Sequence, residues 1–167
     1  MFDSRLLYYA RPVHSAPRSA RWIATWFGAG TAPIAPGTVG SLATLPLHFA
    51  LRRLGAIPYA AATLALTLAG VWAGNEVAAA SGDEDPNSVV IDEVVGTLLA
   101  LGIAGGGGIA VELGALILFR VLDITKPGVI DRAQRLRPPG LGIMADDVLA
   151  GISAGLLARA GRALLRR

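Results

Sequence analysis

The sequence predicts an all-α protein, folded as one compact domain of several helices, some of them apolar enough to be embedded in a membrane. The chain shows no apolar–polar alternation typical of a half-buried strand over more than a few residues. Charged residues make up 16% of the 167 residues and apolar ones 53%, whereas about a quarter of a soluble domain is charged. Uncharged runs at 22–51, 54–75 and 94–111 are typical of helices that contact lipid or fill a very apolar core.

The N-terminal part of the chain divides into a basic segment, a loop and a helix. Residues 1–21 are polar, basic and interrupted by proline, and we interpret them as a tail or short interfacial helix ahead of one helical domain at 22–167. Prolines and glycines indicate a loop after Trp22. A helix is then expected from about Ser41 to just before Arg52.

The strongest candidate for a membrane-spanning helix is the uncharged run Leu54–Asn75. Its length matches the about 20 residues that cross a hydrocarbon core, and its many alanines and glycines permit close helix packing. An acidic turn at 82–87 follows it. Further helices are expected at Val89–Ala104, Ile109–Ile124 and Asp146–Leu165, with a loop rich in arginine, proline and glycine at 130–142.

The charge pattern indicates a membrane partner more than a nucleic acid. The net charge is +3, and almost all of the positive charge comes from arginine, because Lys126 is the only lysine. The arginines stand in separate groups that flank the apolar runs, which is typical of anchors at a membrane surface; a generic basic surface is the alternative. The absence of cysteine excludes disulfides and thiolate chemistry. We therefore expect membrane lipids and no nucleic acid as partners, and no feature indicates an oligomeric state.

Five carboxylates stand in apolar surroundings. Asp92 and Glu93 separate two apolar runs. Asp146 and Asp147 do the same near the expected start of the last helix, and Asp123 lies inside a third apolar stretch. Because an unpaired carboxylate is costly to bury, each of them requires a compensating partner.

Two of these features have simpler explanations when taken alone. Arg120 and Asp123 are three residues apart on a predicted helix and are positioned to form an ordinary ion pair. Asp146 and Asp147 could cap their helix, where the helix dipole favours negative charge. Together, however, the five carboxylates would repel one another without a cation. Oxygen ligands alone suit a hard ion such as Mg²⁺.

Glycine-rich segments at 28–31 and 36–41 indicate a loop that can hold phosphate. Their backbone N–H groups and the hydroxyls of Thr38 and Ser41 are donors for an anion at the start of a helix. Ser41 is also positioned to cap the helix predicted there. No Gly-Lys-Ser/Thr follows, so the segment is not a nucleotide-binding P-loop.

Four blocks of the chain gather these features in order. They are GAGTAPIAPGTVGSL at 28–42, SVVIDEVVG at 88–96, FRVLDITKP at 119–127 and GLGIMADDVLAG at 140–151. In this order they closely resemble the blocks of the phosphatidylglycerophosphatase A family. The resemblance extends from about Trp26 into the last helix.

The resemblance implies an enzyme that hydrolyses phosphatidylglycerol phosphate to phosphatidylglycerol and inorganic phosphate in phospholipid biosynthesis. It implies Mg²⁺ as the cofactor and a site at the cytoplasmic face of a bacterial inner membrane. The residues expected to carry the reaction are Asp92, Glu93, Asp123, Asp146 and Asp147. All but Asp123 are expected to hold the ion, and Asp123 to act as a further ligand or as a base.

The same interpretation assigns four residues to the substrate phosphate: Thr38, Ser41, Arg120 and Lys126. They would neutralise charge on the transferring phosphoryl group. The nucleophile is either metal-activated water or an aspartate.

Two other functions are compatible with the sequence. One is a soluble phosphatase or phosphate-ligand binder of the same fold, with an apolar helical core. The other is a small membrane transport or scaffold protein whose intramembrane carboxylates carry ions.

Overall fold

The computed structural model describes residues 16–165, and this part of the chain is helical with no β-strand. The prediction of an all-α fold is therefore confirmed. The helices are α1 (Arg18–Ala24), α2 (Pro36–Ala43), α3 (Leu45–Leu54), α4 (Ala56–Ser81), α5 (Ile91–Ala104), α6 (Ile109–Thr125), α7 (Val129–Ala133) and α8 (Pro139–Leu165), with a 3₁₀ turn at Ala29–Thr31.

The short helix α5 forms the centre of the fold. Its residues Ile91, Val94, Val95 and Leu98 are fully buried. Burial follows because α4, α6 and α8 pack around α5, while α2 and α3 contact it as well. A helix that is apolar on most sides belongs either in such a core or in a membrane.

Small residues set the distance between α5 and α8. A Cβ atom on Gly151 would clash with the backbone of Gly96, and one on Gly155 would lie 2.8 Å from the carbonyl oxygen of Ala100. The two contacts are one turn apart on both helices and come in the same order. The two helices therefore run parallel, in a register that only small side chains permit.

Helices α4 and α8 are long and apolar enough to cross a membrane. α4 has 26 residues, a length of about 39 Å at 1.5 Å per residue. Only 17% of its most apolar segment is buried inside the protein, against 50% for α8. Its Leu64, Leu68 and Trp72 side chains are exposed, which is compatible with contact with lipid. The predicted span at 54–75 corresponds to this helix, which continues to Ser81.

α6 adds a further exposed apolar ridge along its length. The ridge consists of Ile109, Leu113, Ile117, Val121 and Ile124. These residues recur every three or four positions and so share one face of the helix. The apolar surface of the protein is thus not confined to α4.

The helix predicted from Ser41 to Arg52 is in fact two helices, and the first begins earlier. α2 starts at Pro36, a residue favoured at the first helical position because its fixed φ suits a helix. The break at Thr44 follows from Pro46, which has no N–H to donate to the preceding turn. The prediction of an N-cap at Ser41 is therefore wrong.

The last helix also begins earlier than expected, at Pro139 instead of Asp146, and includes part of the predicted loop at 130–142. This start is stabilised by the N–H of Gly140, which donates to Oδ1 of Asn75 on α4 at 2.6 Å. Asp146 and Asp147 consequently lie in the third turn of α8. Capping of a helix N-terminus does not explain them.

The predicted boundary at residue 21 falls inside α1, whose Ala20 and Ala24 are fully buried. The part of the predicted tail at 1–15 lies outside the described residues. Described residues 16–20 therefore join the helical domain through α1, which packs on α4.

Candidate active site

Eight of the nine predicted site residues meet in one cleft, near the start of α5 and α8 and the end of α4 and α6. The cleft has a volume of about 590 Å³ and is also lined by the first turn of α2 and by the loops that precede α5 and α8. It contains all five predicted carboxylates and three of the four predicted substrate-binding residues: Asp92, Glu93, Asp123, Asp146, Asp147, Thr38, Arg120 and Lys126.

The close packing of α5 on α8 brings carboxylates of both helices together. Asp92 lies one helical turn before Gly96, and Asp147 lies one turn before Gly151. Because the two helices run parallel in this register, their carboxylates meet at the same level. Asp92, Glu93 and Asp147 each present an oxygen atom within 4.8 Å of the others.

A second group of three carboxylates shares Asp147 with the first. Asp123, in the last turn of α6, and Asp146 present oxygen atoms within 4.8 Å of each other and of Asp147. Asp146 and Asp147 are only 4% and 2% exposed. Asp147 is therefore a buried carboxylate common to two adjoining acidic groups.

The first group contains buried oxygen atoms with no hydrogen-bond partner among the described residues: Oδ1 of Asp92, Oε2 of Glu93 and Oδ2 of Asp147. Burial, followed by the charges of Glu93 and Asp147, raises the pKa of Asp92 well above its usual range. Burial also raises the pKa of Glu93, although Asp92 and Arg120 oppose the shift. A hard divalent cation would supply the partner that these oxygens lack, and a set of carboxylates without nitrogen or sulfur ligands suits Mg²⁺.

Asp146, in contrast, is already paired. Its Oδ2 accepts a hydrogen bond from Nζ of Lys126 at 2.5 Å, and its Oδ1 accepts one from the backbone N–H of Asp147 at 3.1 Å. Lys126 also donates to Oε1 of Gln134 at 3.1 Å. Burial acts to lower the pKa of Lys126, but the hydrogen bond and charge of Asp146 outweigh it and raise the pKa. Lys126 is therefore a cation held inside the cleft.

Arg120 forms the ion pair with Asp123 that the sequence suggested, but it does so inside the cleft. Its Nη1 lies 2.9 Å from Oδ2 of Asp123 and 3.7 Å from Oε1 of Glu93. Its Nε and Nη1 are buried, and neither makes a hydrogen bond to a residue that the structure describes, although Nη1 lies within ion-pair distance of Asp123. This guanidinium therefore has a donor to offer to an anion such as phosphate.

The first turn of α2 packs against Glu93 and Arg120. Gly37 approaches them so closely that a Cβ atom would clash with the Glu93 carboxylate. The first N–H groups of a helix have no acceptor within it, and in α2 these include the N–H groups of Gly37 and Thr38. Both are well placed as donors for an anion in the cleft.

Ser41 does not line the cleft, unlike Thr38. It lies one turn further along α2, where it is 1% exposed and its hydroxyl donates to the carbonyl oxygen of Gly37 at 3.0 Å. The hydroxyl therefore already donates within the helix and is not directed at a phosphate in the cleft. The structure brings the predicted phosphate loop to the site through Thr38 and not through Ser41.

Six further polar side chains line the cleft that were not predicted from the sequence: Glu84, Asp85, Asn87, Gln134, Arg135 and Arg137. Arg137 and Glu84 form an exposed ion pair at 2.6 Å. They are 53 positions apart in the chain, and no local pattern predicts such a pair. The sequence predicted the loop at 82–87 but not that this loop lines the rim of the cleft.

A second cleft, of about 750 Å³, lies further along α4 and α5 and is mostly lined by apolar side chains. Its single carboxylate among the described residues, Glu112, is paired with Arg52 at 2.5 Å. His48 forms a hydrogen bond with the hydroxyl of Tyr59 there at 2.8 Å. The groups suited to phosphate chemistry are therefore those of the first cleft.

A helical fold with exposed apolar faces, and a cleft that combines clustered carboxylates with two partly buried cations, suit a helical hydrolase of phosphate esters. The chain belongs to the phosphatidylglycerophosphatase A family, whose model matches residues 22–162. The resemblance found in the sequence is thereby confirmed. No solved structure matches the chain.

Three relatives are similar over most of the chain. The phosphatidylglycerophosphatase A of Escherichia coli is 37% identical over 81% of this chain and 79% of its own length. The protein of the same name from Haemophilus influenzae is 38% identical over 79% and 82%. A Bacteroides thetaiotaomicron protein named "Putative phosphatidylinositol-3-phosphatase" is 36% identical over 84% and 91%. As predicted, the chain is a phosphatase that hydrolyses a phosphate monoester.

Proposed function

We propose that this protein removes the terminal phosphate of phosphatidylglycerol phosphate, in phospholipid biosynthesis, with Mg²⁺ as cofactor and at the cytoplasmic face of a bacterial inner membrane. The observation that carries the proposal is the set of buried, unpartnered oxygens of Asp92, Glu93 and Asp147 in one cleft with Arg120 and Lys126. Such a cleft can hold a divalent cation and a phosphate group side by side.

Asp92, Glu93 and Asp147 are the residues that would hold Mg²⁺. Each of them has one buried oxygen without a partner among the described residues, and each presents an oxygen within 4.8 Å of the others. When bound, the ion supplies Lewis-acid neutralisation of phosphate charge. Asp146 supports this arrangement by accepting the N–H of Asp147 and by holding Lys126 in the cleft.

The substrate phosphate is bound by the cations and by the start of α2. Arg120 donates through its free Nε, Lys126 contributes its charge, and Thr38 adds a hydroxyl and a backbone N–H. These groups stabilise the charge on the phosphoryl oxygens as the ester bond breaks. They also orient the ester for attack by water or by one of the aspartates.

Asp123 is the carboxylate best suited to move a proton. Arg120 fixes its Oδ2 at 2.9 Å, so its position in the cleft is defined. If water is the nucleophile, Asp123 accepts the proton that the water loses. If an aspartate attacks instead, Asp123 serves the later hydrolysis of the phosphoaspartate in the same way.

The membrane location rests on the exposed apolar faces of α4 and α6. A soluble phosphatase of the same fold would have to leave these faces in water, although large exposed apolar surfaces are rare on soluble monomers. Membership of a phosphatase family disfavours the transport or scaffold interpretation. Retention in the membrane after washing with high salt and alkaline carbonate is expected, and release into the wash would favour the soluble form.

The test of the substrate is phosphate release by the purified full chain in mixed micelles with Mg²⁺. Phosphatidylglycerol phosphate should be hydrolysed, and glycerol 3-phosphate, which lacks the lipid, only poorly. Equal rates on lipid and water-soluble esters would overturn the assignment of a lipid substrate.

A second lipid substrate has specific support from one relative. The Bacteroides thetaiotaomicron protein carries a name that refers to a phosphatidylinositol 3-phosphate, and that lipid also presents a phosphate monoester on a polyol headgroup. The same assay with phosphatidylinositol 3-phosphate separates the two. A higher kcat/KM on the inositol lipid would replace the proposed substrate but leave the site assignment intact.

A further inference from the structure

We propose that the centre binds one divalent cation and not two, because the ammonium group of Lys126 occupies the position where the second carboxylate group would otherwise hold a second ion. This inference rests on the proposed function, since it assumes that Asp92, Glu93 and Asp147 hold the first ion. It concerns the number of ions and the role of Lys126, which the family resemblance leaves open.

The two carboxylate groups have the layout of a two-ion centre. They adjoin each other and share Asp147, as a bridging carboxylate does when two ions lie about 3.5–4 Å apart. By arrangement of carboxylates alone, both groups qualify as ion sites. Their hydrogen-bond partners distinguish them.

The first group has free ligand atoms. Asp92, Glu93 and Asp147 each have one buried oxygen without a partner among the described residues, and Asp147 is 98% buried, being 2% exposed. A buried carboxylate oxygen that lacks a donor requires a cation or a proton. This group is therefore the one built for an ion.

In the second group the protein itself supplies the cations. Both oxygens of Asp146 are used, Oδ2 by Lys126 at 2.5 Å and Oδ1 by the N–H of Asp147 at 3.1 Å. Oδ2 of Asp123 lies 2.9 Å from Arg120. A second ion would have to displace Lys126 from Asp146 and would meet the repulsion of its charge at short range.

Lys126 is held in this position from several sides. It follows the last residue of α6 as the C-cap, with a φ of 44°, a left-handed conformation that few residues other than glycine adopt. Its Nζ is fixed by Gln134 as well as by Asp146. The ammonium is therefore a fixed part of the centre and not a surface charge that happens to lie nearby.

The experiment counts Mn²⁺ ions on the purified full chain in detergent, by equilibrium dialysis and by the EPR spectrum of the bound ion. The wild type is expected to bind one Mn²⁺ with no Mn–Mn coupling. Lys126→Gln, which removes the charge and retains a polar side chain, should bind two Mn²⁺ and show coupling between them. Lys126→Arg should still bind one.

Arg132→Gln is the matched control, because it removes a positive charge from an exposed residue that does not line the cleft, and it should bind one. Two ions in the wild type, or one ion in Lys126→Gln with native helix content, would overturn the inference and leave the proposed function standing. No bound ion in the wild type would overturn both. If Lys126→Gln does not fold, Lys126→Met takes its place with the same two outcomes.

Discussion

Gly96 of α5 and Gly151 of α8 pack so closely that a Cβ atom on Gly151 would clash with the Gly96 backbone. Asp92 and Asp147 lie one turn nearer the cleft on the same two helices. The contact between the glycines therefore sets the separation of two carboxylates that the proposed mechanism requires. A change in how α5 packs against α8 in the apolar core should therefore also change ion binding in the cleft.

Gly151→Ala should destabilise the protein and lower its activity together. Its methyl group has no room beside Gly96, and overpacking of this kind typically costs about 1–3 kcal/mol. Gly161→Ala on the same helix is the matched control, because its Cβ atom meets nothing within 4 Å; there the change should stabilise the helix by roughly 0.5–1 kcal/mol. Thermal unfolding in detergent measures both. A Gly151→Ala protein as stable and active as the wild type would contradict the proposed register.

The sequence contains both halves of this register without revealing that they pair. Asp92, Gly96 and Ala100 recur every four residues, as do Asp147 and Gly151. The sequence alone therefore shows that each carboxylate shares a helix face with small residues. That the two faces touch depends on α5 and α8 being parallel neighbours. Only tertiary packing decides that point.

Other parts of the site show the same division between local and long-range information. The motif blocks predicted the carboxylates and Arg120, because buried charge is conspicuous in an apolar sequence. The start of α8 was not predicted, because Pro139 and Gly140 resemble a loop until Asn75 of α4 is present to accept the Gly140 N–H. The ion pair of Glu84 and Arg137 joins segments that are distant in the sequence, and no local pattern in either segment predicts it.

Arg120→Lys should raise KM for the lipid phosphate and lower kcat/KM about 10- to 100-fold. Lysine retains the charge near Asp123 but loses the Nε donor, and a hydrogen bond to a charged group is worth about 1.5–3 kcal/mol. Arg132→Lys, at an exposed residue outside the cleft, should leave KM unchanged. Steady-state kinetics in mixed micelles provide the measurement. An unchanged KM for Arg120→Lys would mean that Arg120 positions Asp123 but does not bind the substrate phosphate.

Without Mg²⁺, the protein should lose stability as the pH rises. The pKa values of Asp92 and Glu93 are raised in the folded state above their ordinary values of 3.8 and 4.5. The folded chain therefore binds more protons than the unfolded chain, and the stability present below about pH 4 is lost as the pH rises through the raised pKa values. Melting curves in EDTA between about pH 5 and pH 8 test the sign. A higher Tm at pH 8 than at pH 5 would contradict it.

Mg²⁺ should oppose this trend, because it binds the ionised carboxylates and releases their protons. The increase in Tm on adding Mg²⁺ is therefore expected to be larger at about pH 8 than at about pH 5. Glu112→Gln, which alters a carboxylate outside the cleft, should show the same dependence as the wild type. Equal increases at both pH values would indicate that the ion does not bind at Asp92 and Glu93.

The cleft should open to one side of the membrane only. Thr38→Cys and Arg137→Cys each introduce a single thiol into a chain without cysteine, at two exposed points on the rim of the cleft. Both should react with a membrane-impermeant thiol reagent added from the cytoplasmic side. Reaction of either position only from the opposite side would contradict the proposed orientation.

The most direct test of the central claim is the Mg²⁺ dependence of phosphate release from phosphatidylglycerol phosphate in three proteins: the wild type, Asp92→Asn and Asp147→Asn. Each substitution removes a charged ligand without removing volume, so the fold should persist. The wild type is expected to be inactive in EDTA and to recover with Mg²⁺, and both variants to lose at least ~100-fold in kcat at saturating Mg²⁺, as when one preorganised electrostatic contact is deleted from an active site. Wild-type activity in EDTA, or full activity of either variant with native helix content, would contradict the account.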